Sequence, residues 1–215
     1  MRLPFLPDAM ILNPADLASH ERYKLIIGTI LPRPIAWVSS MDAAGNLNLA
    51  PFSYFTAVCP NPMTLVFCPG VHPNGQKKDT WRNIEAVPEF VINLTNEETA
   101  WAMNLSATIL PPGESEFVWA GVTPAPSQTI RVPRVAEAPV SFECQLQQIV
   151  VVNDQPGGGA AIFGRVQCIH IRDDIYVDGY VQREALRPIG RLAGNSYVHI
   201  HDTFEMRRQP PPADK

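Results

Sequence analysis

Proline sets the first limits on this chain. Its 215 residues include 22 prolines. A proline cannot donate to a sheet ladder and breaks a helix interior, so regular structure has to lie in the gaps between them. Proline excess also marks disorder, but 46% of these residues are hydrophobic and only 18% charged, the reverse of a chain that cannot bury a core. The prolines are therefore punctuation in a folded chain, by default one substantial domain, with two small ones as the alternative.

The gaps read mostly as strands. Ile35 to Ser40 is a strand candidate, and Asp42-Ala-Ala-Gly45-Asn46 is a turn. Leu47 to Val58 reads as a second strand interrupted by Pro51, which implies an edge, a bulge or a ligand-facing irregularity. Met63 to Cys68 and Glu89 to Leu94 are further strands. From 140 to 152 the pattern has period two: Phe142, Cys144 and Leu146 point one way, Ser141, Glu143, Gln145 and Gln147 the other. After the glycine loop at 153–159, Ala160 to Ile171 returns as a hairpin, and Ile175 to Tyr180 continues the meander.

Helices are fewer. Asn13-Pro14 is a helix start. Asp79 or Thr80 caps a short helix to about Ala86, Thr95-x-x-Glu98 forms a capping box before Ala100, and Glu116 to Ala120 ends at Gly121. Six prolines between Pro111 and Pro139 mark a long connection that lies on the surface or wraps a neighbour, and the tail at Pro210-Pro-Pro212 reads as disordered. The expected architecture is mainly β and antiparallel, a small barrel with a few short helices.

Composition removes several functions. A net charge of −4 with no long basic run argues against nucleic-acid binding. No apolar run reaches the ~18 residues of a membrane helix, and Pro4, Pro7 and Asp8 interrupt what a signal peptide would need. Cys59, Cys68, Cys144 and Cys168 are scattered through apolar stretches and read as buried, reduced thiols of a cytoplasmic protein. There is no nucleotide-binding glycine motif of the Walker or Rossmann kind, no serine-hydrolase elbow and no dithiol pair. His199-x-His201 puts two imidazoles on one face of an extended segment, but no third ligand is evident, so no metal site is assigned. Trp37, Trp81, Trp101 and Trp119 are read as core or interface.

Three segments carry potential chemistry. Lys78-Asp79-Thr80 sets a cation beside the positive end of a helix, which is favourable only with an anion present; the alternative is a solvated lysine. Asn48-Leu-Ala-Pro-Phe-Ser-Tyr-Phe55 puts an amide, a proline and a hydroxyl in an apolar strand, either to meet a planar ligand or merely as an irregular edge. Arg187 to Tyr197 is a polar, glycine-bearing segment that either faces a ligand or is a tight surface loop.

In this order the segments resemble the flavin reductase-like family, the FMN-binding split-barrel proteins that include flavoredoxins. Leu31-Pro-Arg33-Pro-Ile-Ala-Trp37-Val-Ser39-Ser40 resembles the family's first strand, and Asn48 to Phe55 its flavin-facing second strand. Lys78-Asp79-Thr80 with Phe90 to Leu94 resembles the phosphate turn and next strand. Ser115-Glu116-Phe117, Glu143-Cys144, Phe163 to Val166, and Arg191-Leu-Ala-Gly194 with Tyr197 follow in order.

The resemblance implies a dimeric antiparallel split β-barrel over residues 23–205, after an N-terminal helix or extension at 1–22 and before a flexible tail at 206–215. FMN would lie at a homodimer interface, with the 111–139 connection at the dimer surface. Trp37, Val38 and Ser39 would flank the flavin, and Asn48, Leu49 and Ala50 would meet its ring largely through backbone. Groups left unpaired around Pro51 would face its polar edge. Ser53, Lys78 and Thr80 would hold the phosphate. Arg33, Phe55 and Asp79 belong to the same binding segments, and Arg191 approaches the cofactor. No catalytic side chain is assigned, because FMN carries the redox chemistry itself. The implied activity moves hydride or electrons from NAD(P)H, a transient co-substrate, through FMN to free flavin, a partner monooxygenase or another redox protein. A flavoredoxin-like electron carrier without its own NAD(P)H activity is the alternative.

Overall fold

The computed structural model describes residues 9–111 and 114–210. The expected tail beyond Pro210, the prolines at 4, 7 and 112, and Asp8 lie outside the described residues.

A 3₁₀ turn at Pro14–Asp16 starts as the sequence predicts, with the Asn13 side chain accepting from the Ala15 N–H. Helix α1 (Ser19–Thr29) follows, without a clear apolar stripe to announce it, and runs across position 22. Strands β1 (Ala36–Met41), β2 (Leu47–Phe52), β3 (Phe55–Pro60) and β4 (Met63–Phe67) lead to helix α2 (Asp79–Ala86) and strand β5 (Glu89–Leu94). Then come α3 (Ala100–Leu105), α4 (Glu116–Ala120), β6 (Pro124–Ala125) and β7 (Arg134–Val135). The long hairpin β8 (Val140–Asn153) and β9 (Gly159–Ile171) is followed by β10 (Tyr176–Val177), β11 (Tyr180–Val181), α5 (Arg183–Leu186), β12 (Ile189–Arg191) and β13 (Tyr197–His199).

Seven strands form one antiparallel sheet in the order β2-β1-β5-β8-β9-β4-β3. Its two edge strands are consecutive in sequence and meet at Ser53–Tyr54. Phe52 of β2 and Phe67 of β4, near opposite ends of the order, have ring centroids 5.0 Å apart, and Phe67 meets Phe90 of β5 at 5.6 Å. The sheet must therefore curl on itself to bring these rings together. It is a barrel whose hydrogen-bond ladder stays open between β2 and β3.

Two cores result. Val38, Phe52, Phe67, Trp81, Phe90 and Ile162 fill the barrel interior. On the outer side of β1 and β2, Trp37, Leu49, Met103, Phe117 and Val135 form a second cluster under α3, α4 and β7. β1 is consequently buried on both faces. The 111–139 connection accounts for much of this cover. Its described part from 122 to 138 packs on its own sheet, with Val132 and Val135 fully buried.

The same cover changes the reading of β8. The period-two face that should meet water is buried at Ser141 and Glu143. The Glu143 carboxylate accepts from the Gln128 and Thr129 N–H groups, the Thr129 hydroxyl and the His170 ring. Burial alone would raise its pKa, but these bonds outweigh burial and hold it at about 2.

Other expectations shift locally. The 47–58 segment is two strands broken at Ser53–Tyr54, not one interrupted at Pro51. Tyr176–Val177 and Tyr180–Val181 pair as a separate ribbon and do not extend the meander. The Thr95–Glu98 box is replaced by reciprocal bonds between Asn96 and Thr99, while Glu98 pairs with Arg172. Gly121 does close α4 in the left-handed conformation, at φ 67°. Only Cys144 is fully buried; Cys59, Cys68 and Cys168 are half-buried and unpaired. Burial pushes the Cys144 thiol upward, so it stays protonated. Trp37 and Trp81 lie in the core, whereas Trp101 and Trp119 are exposed. No helix among the described residues is long and apolar enough to cross a membrane.

Two predictions test this packing. A Cβ at Gly164 would come within 2.4 Å of the Phe90 ring and 3.0 Å of Cys144 Cβ, so Gly164→Ala should cost about 1–3 kcal/mol in denaturant unfolding. Because the folded pKa of Glu143 is depressed, its stabilisation is present above the unfolded value near 4.5 and is lost as pH falls toward about 2. Glu143→Gln should flatten that part of the stability–pH curve and lower stability at pH 7 by about 2–3 kcal/mol.

Candidate functional site

The residues singled out in the sequence gather around one strand, β2. It lies at the sheet edge and pairs only with β1 along its length. The Leu49 N–H points away from β1 and donates to Glu116 Oε2 at 3.2 Å. Pro51, two residues on, shares that orientation because strand geometry repeats every second residue. The donor it lacks is thus one that β1 would not have used, which explains how a proline sits in β2 without breaking it.

At one side of β2 is the start of α2. Its N-cap is Lys78, not Asp79 or Thr80, and no side chain caps it. Trp81 and Arg82 N–H groups bond the Lys78 carbonyl, while among the described residues those of Asp79 and Thr80 have no backbone acceptor. The Asp79 carboxylate is turned to Arg82 in an ion pair. Lys77 pairs with Glu85 at 2.5 Å. Lys78 has no carboxylate partner among the described residues, and its Nζ lies 5.8 Å from the centroid of Phe52.

Thr80 is buried, and its hydroxyl accepts from Asn48 Nδ2 at 2.8 Å. Asn48 and Asn83 both reach the Ser40 hydroxyl, at 3.3 and 3.2 Å. This buried polar cluster fastens β2 to α2 and leaves the Thr80 O–H free to donate.

At the other side is Arg33, only 5% exposed. Its Nη1 donates to the Ile27 and Ile30 carbonyls at the C-terminal end of α1 (2.8 and 3.2 Å). Nη2 reaches the Leu192 carbonyl at 3.0 Å, and Nε the Ser53 hydroxyl at 3.3 Å. The charge is met by the negative end of a helix dipole and by carbonyls, with no carboxylate among the described residues. Arg33 and Arg191 also exchange backbone bonds of 3.0 and 2.8 Å.

Arg191 stacks its guanidinium 4.5 Å from the Tyr197 ring centroid and donates to the Gly194 carbonyl. It lines a cleft of about 560 Å³ with Trp101, Asn104, Ile189, Tyr197 and His199.

These positions revise several expectations. Trp37, Val38 and Ser39 have no exposed surface. Trp37 Nε1 donates to Ser106, and the Ser39 hydroxyl donates to the Pro133 carbonyl. Their side chains cannot flank a ligand within this protomer, because β1 is covered on both faces. Arg33 is likewise occupied as a brace. Leu49 buries its side chain in the outer core, leaving only backbone for a ligand. Ala50, Pro51, Ser53, Phe55 and Lys78 retain exposed surface, and Asp79 is exposed.

Sequence reasoning gave no role to Glu116, although the motif around it was noted. Burial raises its carboxyl, as does the nearby Asp79 charge, although the Leu49 N–H partly offsets this. It also missed Glu97. Glu97 lies 2.9 Å from both His199 Nδ1 and His201 Nε2, a third group that spacing alone could not find.

Residues 28–188 match the flavin reductase like domain. The chain belongs to that family. An uncharacterized protein of Halalkalibacterium halodurans is 41% identical over 201 residues, covering 93% of this chain and 96% of that protein. The structure of nitrilotriacetate monooxygenase component B from Bacillus cereus superposes with TM-score 0.88 at 38% identity, covering 93% of this chain and 100% of that one. That of 2-nitrobenzoate 2-nitroreductase NbaA from Pseudomonas fluorescens superposes with TM-score 0.83 at 29% identity, covering 96% and 99%.

The Arg33 brace yields a prediction. Arg33→Met keeps the apolar stem but orphans three carbonyls, and should lower unfolding stability by about 3 kcal/mol in denaturant titration.

Proposed function

We propose that this flavin reductase-like protein binds FMN along the open edge of β2 and passes electrons from NAD(P)H to an acceptor. The observation that carries the reading is Lys78. An ammonium without a carboxylate partner at the start of α2, beside the free N–H groups of Asp79 and Thr80, is a donor set suited to a phosphate. The Thr80 and Ser53 hydroxyls each accept one protein hydrogen bond, and each keeps a proton to donate.

Bound FMN would supply the hydride and single-electron chemistry. The chain's own groups would position it. The Leu49 carbonyl, which shares the outward orientation of its N–H, would meet the ring edge, with the backbone of Asn48 and Ala50 turned to β1 behind it, while Glu116 and the Asn48–Thr80 bond fix that strand before a ligand arrives. Phe55 and Pro51 would shield the ring from water, and Arg191 would border the approach through Tyr197.

A homodimer is part of the reading. β3 is an edge strand with most of its residues exposed, including Val58, and α1 presents Tyr23, Leu25, Ile26 and Ile30 to solvent. A second copy would cover such edges and apolar side chains. The likeness to a monooxygenase component B supports a partner monooxygenase as acceptor, and four unpaired cysteines accord with a cytoplasmic location.

Lys78→Ala should weaken FMN binding roughly 10- to 100-fold in a fluorescence titration and leave riboflavin binding unchanged. Equal loss for both would overturn the phosphate assignment. Anaerobic NADH or NADPH should bleach the bound flavin; an unbleached flavin would leave an electron carrier instead of a reductase.

A further inference from the structure

The geometry points to a divalent metal site formed by Glu97, His199 and His201, beside the Arg191–Tyr197 cleft and outside the β2 and α2 segments assigned to the flavin. Glu97 follows β5, His199 ends β13 and His201 lies two residues beyond. Alternation in an extended chain puts the two imidazoles on one face. Their rings stack with centroids 5.5 Å apart and planes 12° apart. Both aim a nitrogen at the same atom, Glu97 Oε1, at 2.9 Å each. The three donor atoms all lie within 4.8 Å of one another. An ion at about 2.0–2.2 Å from each would fit this spacing after a small outward shift of the rings.

The surroundings prepare the carboxylate for that role. The other oxygen, Oε2, is held by the Arg187 guanidinium, and the Glu97 N–H bonds the Arg187 carbonyl. Such outer bonds orient a ligating carboxylate. The Glu97 side chain is 11% exposed, whereas those of His199 and His201 are 63% and 64% exposed. The carboxylate is thus fixed and the imidazoles accessible, so an ion can enter from solvent and keep water on its remaining positions. Two imidazoles and one carboxylate select a borderline ion such as Zn²⁺ over Ca²⁺ or Mg²⁺.

Occupancy would tie the segment after β13 to the turn after β5. His199 also lines the cleft that holds Arg191 and Tyr197, so the ion would stiffen one wall of that cleft.

Among the described residues, one other cluster has suitable ligands. Glu143, Cys168 and His170 also lie within reach of a common ion, but Glu143 is fully buried and already accepts four hydrogen bonds. It therefore serves as the control. Untagged full-length protein, stripped with chelator, is titrated with Zn²⁺ against a chromophoric competitor and separately with Co²⁺. The expected result is one equivalent per chain and Co²⁺ d–d bands without thiolate charge transfer. His199→Gln and His201→Ala should each weaken Zn²⁺ by more than the roughly 10- to 100-fold lost with an outer hydrogen-bond partner. His170→Ala should leave it unchanged. Melting curves of the metal-free variants check folding, and because both histidines are exposed these should match the parent. No saturable binding, binding unaffected by His199→Gln and His201→Ala, or loss only in His170→Ala would overturn the site.

Discussion

One buried guanidinium decides where three distant parts of this chain meet. Arg33 takes carbonyls from the end of α1 and from Leu192, and its Nε holds the Ser53 hydroxyl at the corner between β2 and β3. Its backbone pairs with Arg191. A buried cation without a carboxylate is tolerable only if nearly every donor finds an acceptor. The geometry of α1, the barrel corner and the C-terminal hairpin is therefore set jointly: moving any one of them strands a donor or a carbonyl. The open edge of β2 is held from this side by Arg33 and from the other by the Asn48–Thr80–Ser40–Asn83 cluster.

A strand held at both ends and buried on its inner flank is a rigid platform with one free edge. That edge has its proline where no donor is needed and its Leu49 N–H already engaged by Glu116. Preorganisation of this kind lowers the ordering cost of binding. Lys78, which has no carboxylate partner among the described residues, stands beside it.

Much of this was legible in the chain. Strand β5 falls where the proline-free gap put it, and β8 follows the period-two segment closely. Gly121 ends α4 as its position after a short apolar run implies. The ordered motifs carried the family. Misreadings arose where long-range contact overrides local pattern. Glu143 looks solvent-facing because its neighbours alternate, yet the loop at 127–131 covers it and supplies three of its four hydrogen bonds. Helix α1 is mostly exposed and has only Ile27 buried, so no apolar stripe marks it. Trp37 and Ser39 lie in a segment resembling flavin-side residues, but the second core encloses Trp37 and the Pro133 carbonyl takes the buried Ser39 hydroxyl.

The sequence by itself determined that the chain is mainly β and antiparallel, where its breaks fall, and that a cation precedes a helix beside a proline-bearing strand. Those are local properties: periodicity, missing donors and neighbouring residue types act within a few positions. Tertiary structure alone decided which surfaces remain open. Arg33 became a brace, because four acceptors from three segments converge on it. Glu97 came to stand beside His199 and His201 for the same reason. Their spacing along the chain says nothing of proximity, and only closure of the barrel with its C-terminal hairpin brings them together.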